Sequence, residues 1–328
     1  MGIKKIIFRV FQDEENEGGL YFTNSKFKVI EPSLEKLIDE FDFKKLQLCA
    51  WMMTRKFNWI EDSSIMDYEF VGSSVDEKPE DSLRLIRKLD IFNPQAVDMI
   101  IQTYKELASH KINAILIQDD LILRYNEGFS RWGKLKFQME TGVPAVEKLM
   151  MQKDSPYNLA WNQIKVKQVC KVLRQIVDAC KRVNSNIKIG INVYYETPIS
   201  DRKAEAWYGH NLKAIAESGV DYIYLMSYQQ QIKDEMKLND EDTRSLFKQI
   251  VDQAFQICKE KLIVKIQVRD WKTSERIPAD EINLYLKLIP EQVEHICFTP
   301  ILPTDMEYLQ DILLKNDQIM RKNEKLEN

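Results

Sequence analysis

Short apolar runs alternate with longer amphipathic stretches along most of the chain. Seven runs rich in Ile, Val, Leu and Tyr are typical of buried strands; they span residues 3–11, 46–53, 114–117, 187–195, 222–228, 262–268 and 296–301. Between them, apolar residues recur at the spacing of a helix with one buried face; these segments are 32–41, 93–109, 161–182, 205–218, 240–259, 279–288 and 304–314. Regular strand–helix alternation predicts a parallel sheet.

The number of repeats predicts the architecture. Seven or eight strand–helix repeats favour an α/β fold of the TIM-like (β/α) barrel type over an open sheet, and no glycine-rich nucleotide-binding loop follows a strand. The stretches 54–92 and 121–160 are poorer in apolar residues, and we interpret them as long insertions in the βα loops, which form the binding face of such a barrel. We expect a single barrel domain over residues 1–314 and a polar C-terminal tail over 315–328.

Composition and charge narrow the classes of partner. The 328 residues are 44% apolar and 30% charged, which is typical of a globular protein, and the net charge of −4 argues against nucleic acid. No apolar stretch approaches the roughly 20 residues that span a bilayer, and no cleavable signal pattern follows Lys4 and Lys5. The chain as given therefore predicts a cytoplasmic location, or a periplasmic or extracellular one if it is part of a longer exported protein. The oligomeric state stays open.

The cysteines and histidines do not predict a metal site. The five cysteines lie in apolar strand or helix patterns, without a C-x-x-C pair, and are interpreted as buried free thiols. The three histidines are widely separated and lack the spacing of zinc ligands. No cofactor is predicted.

The apolar run 114–117 leads directly to two adjacent carboxylates, Asp119 and Asp120. Catalytic groups of a (β/α) barrel lie at the carboxyl ends of its strands, so this pair predicts acid–base chemistry or binding of a sugar or cationic substrate. The alternative is that the aspartates cap the following turn, which is a common role of this residue type. Because adjacent residues point to opposite sides, one aspartate is expected to act and the other to support it.

Hydrolysis of a glycosidic bond needs a second carboxylate at a suitable distance. The separation is about 5–5.5 Å in retaining enzymes and about 6.5–9.5 Å in inverting ones. Further acids near predicted strand ends or on the insertions are Glu127, Glu196, Glu205 and Asp270. Each of them alone is more often a solvated loop residue.

Aromatic and amide side chains are concentrated near the same predicted face. The aromatic residues are Trp51, Trp59, Tyr125, Trp132, Tyr194, Tyr195, Trp207, Tyr228 and Trp271. Aromatic rings stack on the apolar faces of sugars, although about half of these rings are expected to fill the core. Gln267 and Asp270, beside Trp271, are candidates for binding hydroxyl and amide groups, and the run 229–231 is interpreted as a polar loop.

Six short motifs resemble a known family in their residues and order. They are Leu20-Tyr-Phe-Thr-Asn24, Ala50-Trp-Met52, Ile117-Gln-Asp-Asp120, Glu205-Ala-Trp207 with Asn211, Met226-Ser-Tyr228 and Gln267-x-x-Asp270-Trp271. From Ile6 to about Leu302 the chain resembles the C-terminal glycoside-hydrolase domains of PgaB-like poly-β-1,6-N-acetyl-D-glucosamine N-deacetylases. The resemblance implies a (β/α) barrel whose acidic groove binds and cleaves partly deacetylated poly-N-acetylglucosamine, a biofilm exopolysaccharide.

The resemblance also implies roles for individual residues. Asp119 or Asp120 matches the catalytic acid, and Glu127 matches a nearby acid on the following loop. The residues with implied substrate contacts are Trp51, Glu205, Trp207, Tyr228, Gln267, Asp270 and Trp271. Partial deacetylation leaves free amines on the polymer, so an acidic groove would attract it.

Two departures from the family pattern leave the activity open. An acidic residue normally follows the strand-end tyrosine, whereas this chain has three glutamines at 229–231, and the family's deacetylase domain and export signal are not part of this sequence. The chain is therefore predicted to be an endo-glycosidase or, as the alternative, a polysaccharide-binding barrel that has lost a catalytic acid. Unrelated chemistry on the same fold is a third hypothesis. Substrate-assisted hydrolysis by the polymer's own acetamide would need only one protein acid.

Overall fold

The computed structural model describes residues 3–15, 17–72, 83–305 and 307–314. Its strands are β1 (Lys5–Arg9), β2 (Phe11–Gln12), β3 (Gly19–Leu20), β4 (Gln47–Met52), β5 (Met66–Phe70), β6 (Leu83–Leu89), β7 (Ala114–Ile117), β8 (Lys188–Tyr194), β9 (Tyr222–Met226), β10 (Leu262–Gln267) and β11 (His295–Thr299). Its helices are α1 (Ser33–Glu40), α2 (Pro94–Ser109), α3 (Arg131–Thr141), α4 (Glu147–Met151), α5 (Pro156–Val183), α6 (Asp201–Tyr208), α7 (Leu212–Ala216), α8 (Gln229–Met236), α9 (Asp240–Cys258) and α10 (Ala279–Leu286). A last helix spans 307–314. All seven predicted strands are present, as β1, β4, β7, β8, β9, β10 and β11.

The chain forms two compact units. The larger unit comprises Lys5–Ile191 and Ser200–Asp221, and the smaller unit includes Asn192–Ile199 and the described residues from Tyr222 onward. Strand β8 contributes its first residues to the larger unit and its last residues to the smaller one.

Parallel pairing in the larger unit follows the order β1, β4, β7, β8. Trp51 of β4 lies opposite Arg9 and Leu116, and Leu116 of β7 lies opposite Gly190. All four residues of β7 are buried, as expected of a strand covered on both faces. Because parallel strands end at one edge, the segments that follow β4 and β7 are neighbours.

Parallel pairing in the smaller unit joins β9, β10 and β11. Val264 of β10 lies opposite Leu225 and Ile296, and Gln267 ends the strand opposite Thr299. All six residues of β10 are buried. The segments that follow β9 and β10 therefore adjoin at the carboxyl edge.

Capping residues determine where the two long helices of the larger unit begin. The Asn93 side chain accepts a hydrogen bond from the Gln95 amide, and Pro94 is the first residue of α2, as predicted. Helix α5 uses Ser155 and Pro156 in the same way and has 28 residues, so it begins before the predicted start at 161.

The single helix predicted over 205–218 is wrong, because the structure has two helices there. Gly209 adopts a left-handed φ of 64° and ends α6. The Asn211 side chain then accepts from the Ala214 amide and begins α7. The helical spacing of apolar residues continues across Gly209, so the sequence pattern does not reveal the break between the two helices.

The prediction of a polar loop over 229–231 is also wrong. Gln229 is the first residue of α8, and its side chain is buried. Glutamine is a good helix former, and Ile232 and Met236 lie four residues apart on this helix. Eight residues are too few for their periodicity to be evident in the sequence.

The two predicted insertions contain secondary structure of their own. Residues 54–92 include the antiparallel hairpin β5–β6, whose connection at 73–82 lies outside the described residues. Residues 121–160 include α3 and α4. The predicted tail over 315–328 also lies outside the described residues.

The cysteines and the helices bear on two sequence expectations, those of buried thiols and of a chain without membrane spans. None of the five cysteines, all of which lie among the described residues, forms a disulfide bond; four are buried and Cys297 is partly exposed. Among the described residues no helix has the length and apolar character needed to cross a membrane.

Candidate active site

The turn after β7 carries the two adjacent carboxylates, and both aspartates are partly exposed. The Asp120 carboxylate accepts hydrogen bonds from the backbone amides of Thr54, Arg55 and Lys56 at 2.9, 2.7 and 2.8 Å. These three consecutive amides follow β4. Asp120 therefore fastens the loop after β4 to the turn after β7, and Asp119 precedes it in that turn.

Opposing effects act on the pKa of Asp120. Burial raises it, the three backbone N–H donors lower it and the Asp119 charge raises it, with a net result above the ordinary value. The same loop also contacts the Tyr104 hydroxyl, which lies 2.8 Å from Thr54 Oγ1 and 3.2 Å from the Met53 carbonyl oxygen. The loop is thus fixed by both Asp120 and Tyr104, and the contacts of Asp120 are those of a structural acceptor.

Glu127 lies within a buried group of charges. Its carboxylate pairs with the Arg55 guanidinium at 2.9 Å and with the Lys88 ammonium, and Arg55 also pairs with Asp67 at 2.6 Å. Burial raises the pKa of Glu127, but the Arg55 and Lys88 charges outweigh it and hold the pKa below the ordinary value. With its side chain 3% exposed, Glu127 has surroundings that favour a structural role; its catalytic role stays a prediction.

Arg55 and Asp67 were not singled out from the sequence. Arg55 is fully buried and also donates to the backbone carbonyls of Leu89, at 2.9 Å, and Ile122. Burial raises the pKa of Asp67 well above its ordinary value, and the nearby Asp90 charge adds to the effect. Arg55 joins the loop after β4, the β5–β6 hairpin and the loop after β7, so the ion pairs organise three segments that are distant in sequence.

Helix α6 carries two of the predicted substrate-binding residues. Glu205 accepts hydrogen bonds from the side-chain amides of Gln163, at 2.8 Å, and Asn211, at 3.1 Å. Trp207 is 42% exposed, and its ring lies 4.7 Å from that of Tyr125, centroid to centroid. An exposed aromatic pair therefore stands where the loop after β7 meets α6.

Trp51 lies in β4, one residue before the strand ends. It is partly buried, and its ring meets the Phe11 ring edge to face with 5.9 Å between centroids. Trp51 therefore packs within the larger unit at the edge from which the loop bound by Asp120 leaves.

The smaller unit has an aromatic pair of its own. The rings of Tyr228, which is buried, and Trp271, which is 48% exposed, meet edge to face at 4.7 Å between centroids. The buried Lys265 ammonium lies 5.5 Å from the Tyr228 ring centroid and donates to Asn192 Oδ1 at 3.1 Å. This distance is within the range of a cation–π contact.

Gln267 and Asp270 contact nearby backbone groups. The Gln229 side chain donates to the Gln267 carbonyl at 2.7 Å and accepts from the Gln267 amide at 3.1 Å, and the Gln267 side chain donates to the Arg269 carbonyl at 2.8 Å. Asp270 accepts from the amides at 272 and 273, which holds the pKa of its carboxyl low. Glu196, two residues after β8, is 8% exposed. The structure thus brings four predicted residues, Tyr228, Gln267, Asp270 and Trp271, to one edge of this unit.

Two further features bear on the site. The described residues contain no group of three or more His, Cys, Asp or Glu side chains able to hold a metal ion. A cavity of about 330 Å³ in the larger unit is lined by residues that include Tyr68, Asp90, Ser130 and Trp132. Trp132 is one of the candidate aromatic residues, but the lining includes none of the residues with an implied catalytic or substrate-binding role.

The chain is similar to one described family and to several solved structures. The model of the hypothetical glycosyl hydrolase family 13 matches residues 1–298. The PgaB (BpsB) glycoside hydrolase domain from Bordetella bronchiseptica is 18% identical, with a TM-score of 0.72 over 90% of this chain and 84% of that one. The catalytic domain of the β-amylase from Paenibacillus polymyxa is 10% identical, with a TM-score of 0.58 over 91% and 85%. No curated protein matches the chain.

These similarities test two predictions, the (β/α) barrel fold and the resemblance to PgaB-like hydrolase domains. Both solved structures match nearly the whole chain at low identity, which shows a shared fold. The predicted TIM-like (β/α) barrel is confirmed, with seven barrel strands among the described residues. The predicted resemblance to PgaB-like hydrolase domains is confirmed as well.

Proposed function

The chain belongs to the hypothetical glycosyl hydrolase family 13, and from this premise we propose that it cleaves partly deacetylated poly-β-1,6-N-acetyl-D-glucosamine. The proposed reaction is hydrolysis within the polymer by strand-end carboxylates. The sequence motifs that resemble the PgaB-like hydrolase domains support this choice of substrate.

The observation that carries the proposal is the set of backbone hydrogen bonds by which the loop after β4 engages Asp120, one of the two aspartates after β7. Asp120 accepts from three backbone amides of the loop after β4. A carboxylate engaged in this way would break those bonds if it moved to a substrate. Asp119 directly precedes Asp120 in the same turn and, like Asp120, is partly exposed. We therefore assign the catalytic carboxylate to Asp119 and its positioning to Asp120.

In the proposed reaction Asp119 acts as the general acid. It protonates the leaving O6 oxygen as the bond from C1 to that oxygen breaks, and the hydroxyl of a water molecule ends on C1. The group that attacks C1 is a second carboxylate, a water activated by one, or the acetamide of the sugar itself. Hydrolysis at an N-acetylated sugar only, with no second essential acid, would identify the acetamide.

Exposed aromatic residues support a saccharide ligand. Trp207 and Tyr125 in the larger unit, and Trp271 in the smaller one, each expose between 42% and 48% of their surface. Aromatic faces of this kind stack on sugar rings. The chain's net charge of −4 favours the free amines of a partly deacetylated polymer over an anionic polysaccharide.

One observation favours the alternative of a polysaccharide-binding barrel without activity. The run 229–231 lies shortly after the strand-end tyrosine, where the resembled family has an acid, and the side-chain amide of Gln229 is bonded to the Gln267 backbone. A glutamine side chain does not act as a general acid or base, because its amide group does not titrate. If an acid is essential at this position, binding would survive and hydrolysis would not.

Product analysis tests the proposal. The protein is incubated with partly deacetylated poly-β-1,6-N-acetyl-D-glucosamine, and the oligomers are measured by mass spectrometry. The variants are Asp119→Asn, Asp120→Asn, Glu127→Gln and Glu196→Gln, with Asp39→Asn, an exposed residue of α1, as the matched control. We expect shortened oligomers from the wild type and the control, and none from Asp119→Asn.

The other outcomes are distinct. Intact polymer that is still bound by the wild type would support the binding alternative. Lost cleavage in Asp120→Asn together with full cleavage in Asp119→Asn would overturn the assignment of the acid. If the wild type neither binds nor cleaves this polymer, the proposed substrate is overturned.

A further inference from the structure

Lys165 is a buried amine that contacts two segments of the larger unit. It lies on α5 and is 0% exposed, and its Nζ donates to the Ala206 carbonyl at 2.7 Å and, more weakly, to the Arg124 carbonyl at 3.5 Å. Each carbonyl belongs to the residue directly before an exposed aromatic side chain, Trp207 or Tyr125. One ammonium group therefore joins the two backbones at the positions that carry the aromatic pair.

Two other hydrogen bonds hold the same two segments together. The Leu123 amide donates to the Tyr208 carbonyl at 3.0 Å, and His210 Nε2 lies 3.0 Å from the Leu121 carbonyl oxygen. These bonds involve residues that precede Tyr125 in one segment and follow Trp207 in the other. Lys165 is the side chain that acts next to the rings themselves.

The side-chain amine of Lys165 is an unfavourable group to bury. Burial lowers the pKa of Lys165 to about 7, and the Glu127 charge only partly opposes this. His210, which is another titratable residue on the joined segments, has its pKa lowered by burial to about 4 and is neutral at neutral pH. An apolar side chain would occupy the site at lower cost, so the contacts of the amine are what distinguish lysine here.

We propose that Lys165 is the positioning residue of the Tyr125–Trp207 pair, and that this pair is a stacking platform for a sugar ring of the bound polymer. The second part rests on the proposed function. The rings are 4.7 Å apart and exposed by 43% and 42%, which leaves aromatic surface available to a saccharide. A platform fixed before binding loses less conformational entropy when the ligand arrives.

A double-mutant cycle on binding tests the positioning role. Affinity for a partly deacetylated β-1,6-glucosamine oligomer is measured for the wild type, Lys165→Met, Trp207→Ala and the double variant. We expect Lys165→Met to weaken binding by about tenfold and to have no further effect when Trp207 is absent. The matched control is Lys167→Met, which removes an exposed lysine of the same helix and should leave the affinity unchanged.

An equal loss in the presence and absence of Trp207 would mean that Lys165→Met damages the protein in general, and it would overturn the inference. Unchanged affinity in Lys165→Met would overturn it as well.

Hydrogen exchange separates this inference from the proposed function, because it needs no polymer. In Lys165→Met we expect faster exchange of the Leu123 amide and unchanged exchange of the Phe129 amide. Phe129 lies in the same loop as Leu123, but its amide donates to the Tyr68 carbonyl of β5 at 3.0 Å. Unchanged exchange at Leu123 overturns the positioning role whether or not the polymer binds. Faster exchange in a protein that binds no polymer supports the positioning role and overturns the platform and the proposed function together.

Discussion

At the scale of single residues, Asp120 is the carboxylate to which we assign a positioning role. It accepts three backbone hydrogen bonds from the loop after β4. Asp120→Asn keeps the shape of the side chain but replaces one carboxylate oxygen, which accepts hydrogen bonds, by an amide NH₂ group, which donates them. This donor would face backbone N–H groups, which are donors too. We expect a loss of about 1–3 kcal/mol in the free energy of unfolding. Urea denaturation measures it.

The neighbouring aspartate provides the comparison for this prediction. Asp119→Asn should cost less stability than Asp120→Asn while it removes activity, since Asp119 is assigned to the chemistry. Equal stability of wild type and Asp120→Asn would contradict the structural role of the three hydrogen bonds.

Lys165 makes stability depend on pH. Its pKa is about 7 in the folded chain against an ordinary value of 10.5, so between these values the unfolded chain binds more protons. Its contribution to the free energy of unfolding therefore rises with pH by about 1.4 kcal/mol per unit across this window. The cost of burying the charge is fully present below about pH 7.

Urea unfolding of wild type and Lys165→Met between pH 6 and 9.5 measures this contribution. The variant is expected to lack the slope, whereas Lys167→Met, which alters an exposed lysine, is expected to keep it. Parallel curves for wild type and Lys165→Met would show that the buried amine does not titrate in this window.

At the scale of elements, Gly209 controls the break between α6 and α7. It has a φ of 64°, and an added Cβ would lie 3.3 Å from Val169 Cγ2 and 3.4 Å from Lys165 Cβ. We expect Gly209→Ala to lower the free energy of unfolding by about 1–2 kcal/mol from the left-handed conformation alone, and by more because of these contacts. Thermal and urea unfolding measure the loss.

Gly142 offers a matched control for that substitution. It ends α3 with a φ of 73°, and an added Cβ would have no atom within 4 Å. Gly142→Ala therefore reports the cost of the conformation without the contacts. A loss in Gly142→Ala as large as that in Gly209→Ala would show that the contacts at Gly209 are not strained.

The elements that the sequence predicted are those with a long or fully apolar pattern. The four buried residues of β7 were placed at their correct bounds, as was α2, whose start is marked by Asn93 and Pro94. Helix α8 was missed because eight polar-rich residues contain too little periodicity. The break at Gly209 was missed because glycine can occur within a helix as well as at its end.

The candidate site was predictable in position but not in its division of roles. The apolar run before Asp119 and Asp120 marks a strand end, yet the partners of Asp120 lie about 65 residues earlier, at Thr54 and Arg55. Lys165 was harder to recognise as a functional residue. Its position in the sequence, four residues from both Trp161 and Val169, places it on the buried face of α5. A charged residue on such a face indicates a specific partner, but the pattern does not identify it.

At the scale of the whole molecule, charge predicts how binding responds to salt. The chain carries a net charge of −4, and the proposed polymer carries free amines. Raising the NaCl concentration screens this attraction, so affinity for the partly deacetylated polymer should fall several-fold between low and high salt. Isothermal titration at several salt concentrations measures it.

A fully N-acetylated polymer is the control, because it has no amines to screen. Its affinity should stay nearly constant over the same salt range. Equal salt dependence for both polymers would argue against recognition of the free amine.

The ion pairs of Arg55 also limit how this protein can diversify. Arg55, Asp67 and Glu127 come from the loop after β4, the β5–β6 hairpin and the loop after β7, and all three are buried. Exchanging one of these loops for that of a related barrel would leave a charge buried without its counterion, which is strongly destabilising. Recombination, in the laboratory or in evolution, is therefore expected to succeed when the three segments are inherited as one block.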